Sequence, residues 1–376
     1  MTGVDAGRRV RYVDFAAQFA AERESLMPVI EAVLARGDFI GGEEVGRLEH
    51  EIAQYLNVDY AVAVNSGTDA LVFSLAALGI GRGDEVITAS NSFIASAAAI
   101  AHVGATPVFA DVLPDQLIDP AAVEAAITPR TRAIMPVHLT GRVADLPALV
   151  AIADRHGIAI VEDAAQAFGS RIGPRFAGTF GRINAFSAHP LKNLNAAGDA
   201  GFVVTNDAAL AACVQRLRNH GFTDRDTALD FGFVSRMDTL QAAILAYRLT
   251  RVDDVILSRR RNAQIYRDLL DGSAVWVAPE APGHFTSHHL FVIQCDGRDA
   301  LQAHLGRRGI GTKIHYPTPI HLQPAARHLG YATGSLPHTE RQAQRILSLP
   351  IHQFLEPDDI AYVADTIAEF FATQAS

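Results

Sequence analysis

The sequence predicts an α/β protein: a large domain with a mostly parallel sheet flanked by helices, then a smaller C-terminal α+β domain. Two observations predict the first part. From residue 60 to about 205, short β-rich runs alternate with helical stretches. The runs are almost continuously apolar, as in strands buried on both faces. A third observation predicts the second part. After a long helical stretch, a shorter set of strands and helices follows to the C-terminus. The 376 residues suit one large and one small domain, expected at 1–250 and 251–376.

Taken in order, Glu22–Ala35 reads as a helix ending before Gly37, and the Gly41–Gly42 pair reads as a turn. Strands are expected at Ala61–Asn65, Glu85–Ala89, Thr106–Ala110, Ala133–Val137 and Ile158–Glu162. Helices are expected between them at Asp69–Leu78, Ile94–His102, Pro120–Ala126 and Asp145–His156. Arg236–Ala263 has helical spacing and no Gly or Pro, so one long helix is expected there. Strands at His289–Cys295 and Gly311–Tyr316, with helices at Ala300–Arg308 and Asp358–Phe371, complete the small domain. No internal repeat stands out.

Composition narrows the class. Apolar residues make up 49% and charged residues 19%, the balance of an ordinary folded core. A formal net charge of −9 argues against a nucleic-acid partner, and an anionic substrate would need local basic groups. The two cysteines, Cys213 and Cys295, are far apart, as expected in a reducing compartment. The N-terminal stretch lacks an apolar signal region, and Phe93–Ala110 is too interrupted to span a bilayer. A cytoplasmic protein with no membrane partner is therefore expected. The 15 histidines make no zinc spacing, and His284, His288 and His289 read as a solvated loop, so no metal is expected. There is no GxGxxG fingerprint and no P-loop.

Ligands in parallel sheets bind beyond the carboxyl ends of the strands, where Ser66, Phe93 and Asp163 fall. Val161–Ser170 (VEDAAQAFGS) ends a buried strand in two acids, one expected to face solvent and the other the pocket. Phe186–Gly201 (FSAHPLKNLNAAGDAG) carries one lysine, Lys192. A strand-end carboxylate with a lone lysine is what a pyridoxal phosphate (PLP) enzyme needs. The lysine forms a Schiff base, and the acid keeps the pyridine nitrogen protonated. Ser66–Asp69 suits a phosphate at a helix start, although such residues are also ordinary N-caps. Phe93 would stack on a planar ring or fill the core. Gln166 reaches the same ligand or faces solvent, and Ser187 donates to the phosphate or merely ends a strand.

Assembled in order, Asn65–Leu71, Asn91–Ser96, Glu162–Gly169, Phe186–Asn193, Ser235–Ala243 and His315–His321 resemble the DegT/DnrJ/StrS sugar aminotransferases. The resemblance runs from about Val13 to the C-terminus. It implies the PLP fold type I (aspartate aminotransferase-like) architecture and a homodimer with active sites at the interface. It implies Lys192 as the Schiff-base lysine and Asp163 on the pyridine nitrogen. Gln166 falls near the ring hydroxyl, Phe93 on the ring, and Gly67, Thr68 and Ser187 in the phosphate cradle. His315, Tyr316 and His321 fall near the sugar-nucleotide pocket. Two positions depart. Val234 stands where the family often has an asparagine reaching the neighbouring subunit's phosphate, so either Ser235 or Arg236 substitutes or the cradle is weaker. Ala188 replaces a common aromatic, which is expected to leave room for a larger or differently placed sugar.

The implied reaction moves an amino group from L-glutamate, through the pyridoxamine form of the cofactor, to a nucleotide-linked keto sugar. The Gly198–Gly201 turn (GDAG) resembles enzymes that aminate carbon 3 of a 6-deoxy sugar. Carbon 4 and cyclitol ketones are the alternatives, as is a PLP-binding regulator without turnover. The family's dehydratase branch has histidine at the lysine position, so Lys192 argues against it.

Overall fold

The computed structural model describes residues 8–374. Residues 1–7 of the N-terminal stretch lie outside them.

Helix α1 (Phe15–Arg36) starts earlier than expected, because Asp14 accepts the Ala17 amide, and it ends at Gly37 with φ 76°. Helix α2 (Glu43–Leu56) was not among the expected elements. Glu43 and Glu44 favour its N-terminus, and Val45, Leu48, Ile52 and Leu56 bury one face. Strand–helix alternation then follows. It runs β1 (Tyr60–Val64), α3 (Gly67–Ala77), β2 (Glu85–Ala89), α4 (Ile94–His102), β3 (Thr106–Ala110), α5 (Pro120–Ala125), β4 (Thr131–Met135), α6 (Leu146–His156) and β5 (Ala159–Ile160). Next come a short hairpin of β6 (Arg171–Ile172) and β7 (Arg175–Phe176), then β8 (Asn184–Ser187), β9 (Gly201–Thr205) and α7 (Ala208–Leu217).

The four-stranded parallel part has the order β3-β2-β4-β5, and a three-stranded antiparallel part has the order β1-β9-β8. Parallel bridges from Val137 to Asp163 and from Asp163 to Ala185 join the two parts into one mixed sheet. Apolar clusters cover both faces. Phe73, Ile100 and Val203 belong to one, and Leu48, Ile52, Phe186 and Phe202 to another. The expected mostly parallel sheet is therefore present, with β9 as its antiparallel strand.

The expected long helix is two. Helix α8 (Thr239–Leu249) ends where the Thr250 hydroxyl donates to the Tyr247 carbonyl at 2.9 Å. Arg251 then leaves helical geometry (φ −120°, ψ −1°), and α9 (Val252–Leu270) restarts with Asp253 and Asp254 in its first turn. The remaining elements are β10 (Trp276–Val277), β11 (His284–Phe285), β12 (Phe291–Gln294), α10 (Arg298–Arg307), α11 (Pro337–Arg345), β13 (Ile346–Leu349) and α12 (Pro357–Gln374). Gly311–Tyr316 is not a strand. It makes a single bridge from Lys313 to Ser348, and Pro317 and Pro319 beyond it have no N–H for a ladder. The place beside β12 goes to β13. A separate cluster joins Tyr266, Phe291, Leu347, Ile360 and Phe370, and takes in Val10 from the other end of the chain.

Among the described residues, no helix is long and apolar enough to cross a membrane, and no group of three or more His, Cys, Asp or Glu is placed to hold a metal. His284 is half-buried in β11, and His288 and His289 are buried, so these three do not form a solvated loop.

Candidate active site

The extended chain beyond β5 carries Glu162 and Asp163. The Asp163 amide donates to the Pro136 carbonyl, and its carbonyl accepts from the His138 amide, so the backbone is paired up to the acid itself. The Asp163 side chain is buried. Its Oδ2 accepts from Ser96 Oγ at 2.7 Å, and its Oδ1 from the Ala165 amide at 3.2 Å.

Glu162 does not face solvent. Its carboxylate is fully buried and accepts the amides of Gly178, Phe180 and Gly181 at 2.6, 2.5 and 2.8 Å. His138 Nε2 donates to it at 2.8 Å, while His138 Nδ1 accepts the Ala144 amide, which fixes the neutral tautomer. The expected solvent-facing acid is thus a buried anchor. An ionised carboxylate is stable in the interior only with such a set of donors.

Lys192 sits in a tight turn, its amide donating to the His189 carbonyl at 2.8 Å. Asn193 pins the turn to the Ser287 carbonyl, and Asn195 pins it to the Pro190 carbonyl and to Gln18. The lysine retains a little exposed surface but is packed round by protein. Burial lowers its pKa to about 8, against the opposing pull of the Asp163 charge. Burial also lowers His289 far below the ordinary histidine value and His315 to about 4, with the Lys192 charge pushing both the same way. The imidazoles around the lysine are therefore neutral near pH 7.

On the opposite side, Ser66 caps α3 by accepting the Asp69 amide at 3.1 Å, the ordinary N-cap role. The Ala70 amide goes to the Ser66 carbonyl, which leaves the Gly67 and Thr68 amides unpartnered among the described residues. A Cβ on Gly67 would lie 2.6 Å from Ser187 Cβ, so only glycine lets this turn meet the end of β8. Two amides at a helix N-terminus beside a serine hydroxyl form an anion site.

Phe93 is not a core residue. It is 55% exposed at the start of α4, with Tyr316 5.7 Å away between ring centroids. The Tyr316 hydroxyl lies beside Gln166 and near Asp163, and burial raises its pKa to about 12. Gln166 is buried rather than solvent-facing, and its Oε1 accepts the Thr140 amide at 2.8 Å. His315 is held by Ser348 Oγ at 2.9 Å. His321 is buried with both ring nitrogens in use, on Ser90 Oγ at 2.7 Å and Glu340 at 3.1 Å. It secures the 315–321 segment and has no ring nitrogen left for a ligand.

The departures from the family pattern fall differently from expectation. Ala188 is fully buried in the apolar cluster with Phe186 and Phe202, so it gives a sugar no extra room. Val234 is 60% exposed and lines a cavity of about 620 Å³ with Asn65, Ser66, Asp69 and Arg236. Ser235 is committed, its carbonyl and hydroxyl both accepting the Asn65 amide. Arg236 remains, with Nη1 on Asn219 at 3.3 Å and Nε without a partner among the described residues.

The residues present fit PLP: a buried carboxylate for the pyridine nitrogen, an aromatic for its face, an anion site for its phosphate and a lysine of lowered pKa. Two features escaped the sequence reading. Ser96, bonded to Asp163, carried no signal of its own. The other was visible: the chain contains just two lysines, Lys192 and Lys313, among 32 basic residues.

Such a fold and site define the class of PLP-dependent aminotransferases. The model of the DegT/DnrJ/EryC1/StrS aminotransferase family matches residues 20–368, and the chain belongs to that family. It is 43% identical to the dTDP-3-amino-3,4,6-trideoxy-alpha-D-glucose transaminase of Streptomyces venezuelae, over 96% of this chain and 96% of that one. It is 44% identical to the erythromycin biosynthesis sensory transduction protein EryC1 of Saccharopolyspora erythraea, over 95% and 98%. Among solved structures, S. venezuelae DesV in complex with a ketimine intermediate superposes with a TM-score of 0.94 at 44% identity, covering 96% of this chain and 98% of DesV.

Proposed function

We propose that this aminotransferase moves an amino group from L-glutamate to carbon 3 of a nucleotide-linked keto sugar of the 6-deoxy class, as a cytoplasmic homodimer with PLP. The observation that carries the reading is the Asp163 carboxylate near enough to Lys192 for its charge to act on the amine, whose pKa burial lowers to about 8. The carbon-3 preference rests on the GDAG turn and on the activity for which the S. venezuelae transaminase is named. The homodimer rests on the family resemblance and on the exposed apolar run of Leu229, Phe231, Phe233 and Val234, which a second copy would cover. The two-domain division near residue 250 rests on the break between α8 and α9 and on the separate C-terminal cluster.

Bound here, PLP supplies the electron sink that stabilises negative charge at the donor's α-carbon. Asp163 would accept a hydrogen bond from the pyridine N–H, and Phe93 would cover the ring. The Gly67 and Thr68 amides and Ser187 would hold the phosphate, and the Gln166 amide would face the ring hydroxyl. Lys192 Nζ takes the α-proton of the amino donor as a general base, a role that a pKa near working pH suits. Tyr316 and His315 border the sugar side.

L-Glutamate added to the PLP-loaded protein should replace the cofactor's visible band with that of the amino form. Keto sugars screened by mass should then give a product heavier by the amine-for-oxygen exchange and restore the first band. The name of the EryC1 relative favours a competing reading, a PLP-binding regulator without turnover. An unchanged band across amino donors would support that reading and end this one.

A further inference from the structure

Ser96 lies in the first turn of α4, three residues after Phe93, and is buried. Its amide donates to the Phe93 carbonyl at 3.2 Å, and its hydroxyl to Asp163 Oδ2 at 2.7 Å. A serine inside a helix ordinarily turns its hydroxyl back to its own backbone, as Ser74 does to the Ala70 carbonyl at 2.7 Å. Ser96 instead reaches a residue 67 positions away. The same helical turn thus carries the exposed ring of Phe93 and the hydroxyl that meets the acid.

The Ala165 amide holds the other oxygen, Oδ1, at 3.2 Å. Two donors on two oxygens fix the plane of a carboxylate, and a donated hydroxyl stabilises its charged form. With Ser96 removed, one short-range anchor remains and the carboxylate is free to turn.

We propose that Ser96 is a positioning residue for the cofactor: its hydroxyl sets which Asp163 oxygen meets the pyridine nitrogen and moderates the acid's hold on that proton. The proposal rests on the PLP reading above. It is independent of which sugar is aminated.

The test uses the full-length protein freed of cofactor and titrated with PLP. Ser96→Ala should raise the Kd for PLP about tenfold, the loss of one hydrogen bond to a charged group. It should also move the midpoint of the pH titration of the bound cofactor's visible band. Ser96→Thr, which keeps the hydroxyl, should hold both at wild-type values. Ser96→Val, which fills the space of threonine without a donor, should behave like alanine. If valine behaves like threonine, Ser96 only fills space and the proposal fails; it also fails if alanine matches wild type in both readouts. A wild-type protein that takes up no PLP would defeat the functional reading itself, a result distinct from either.

Discussion

The pocket has two contrasting walls. At the ring-nitrogen wall both acids are paired within one chain: Glu162 has four donors, and Asp163 is held by Ser96 and Ala165. At the phosphate wall Ser66 and Asp69, which flank Gly67 and Thr68, line a cavity of about 620 Å³ with Val234 and Arg236, whose Nε has no partner among the described residues. Phe231 and Phe233 stand exposed in the same segment. The first wall is built to fix an orientation. In the proposed homodimer a second copy would complete the second. The first should therefore respond to single substitutions in any oligomeric state, and the second should respond to association.

Lys192, between the walls, gives the largest expected effect. Lys192→Ala should reduce turnover by at least about 10⁴-fold while circular dichroism and melting stay near wild type. Normal turnover would end the account. In the wild type only the neutral amine captures PLP, so the capture rate should rise with pH and level off above about 8. A rate still climbing near 10 would show that burial does not lower this lysine.

Within the closed wall, Asp163→Asn should cost roughly 10²-fold or more in rate and weaken PLP binding, because the amide cannot hold the ring proton as a carboxylate does. Glu162→Gln should lower stability by about 2 kcal/mol, read from denaturant melts, since its amide group would face backbone donors. A neutral effect would mean that the anchor is dispensable.

These features were unequally legible. The strands and their end-positions were visible because buried strands are locally apolar, and Asp163 and Lys192 lie on them or in a short turn. Helix α2 was missed because four acidic residues and a glycine dilute its apolar face. The burial of His288 and His289, the committed state of His321 and the anchor role of Glu162 were hidden for one reason. Each depends on a partner distant in sequence, such as Glu340 for His321 or His138 for Glu162. The Ala188 expectation failed likewise, because a strand-end alanine gives no sign of which side it faces.

The open wall offers the smallest effect. Val234→Asn restores the side chain common in the family and should tighten PLP about fivefold, the gain of one hydrogen bond, at concentrations where the protein is dimeric. The gain should vanish on dilution to monomer, followed by sedimentation. A gain that survives in the monomer would place the contact within one chain and erase the contrast between the walls.

The central claim is that Lys192 carries the cofactor. Reduction of the PLP-loaded protein with borohydride, followed by peptide mass mapping, tests it directly, because only one other lysine side chain, Lys313, competes. The account predicts the phosphopyridoxyl mass on the Lys192 peptide alone; the mass on Lys313, or on neither, would contradict it.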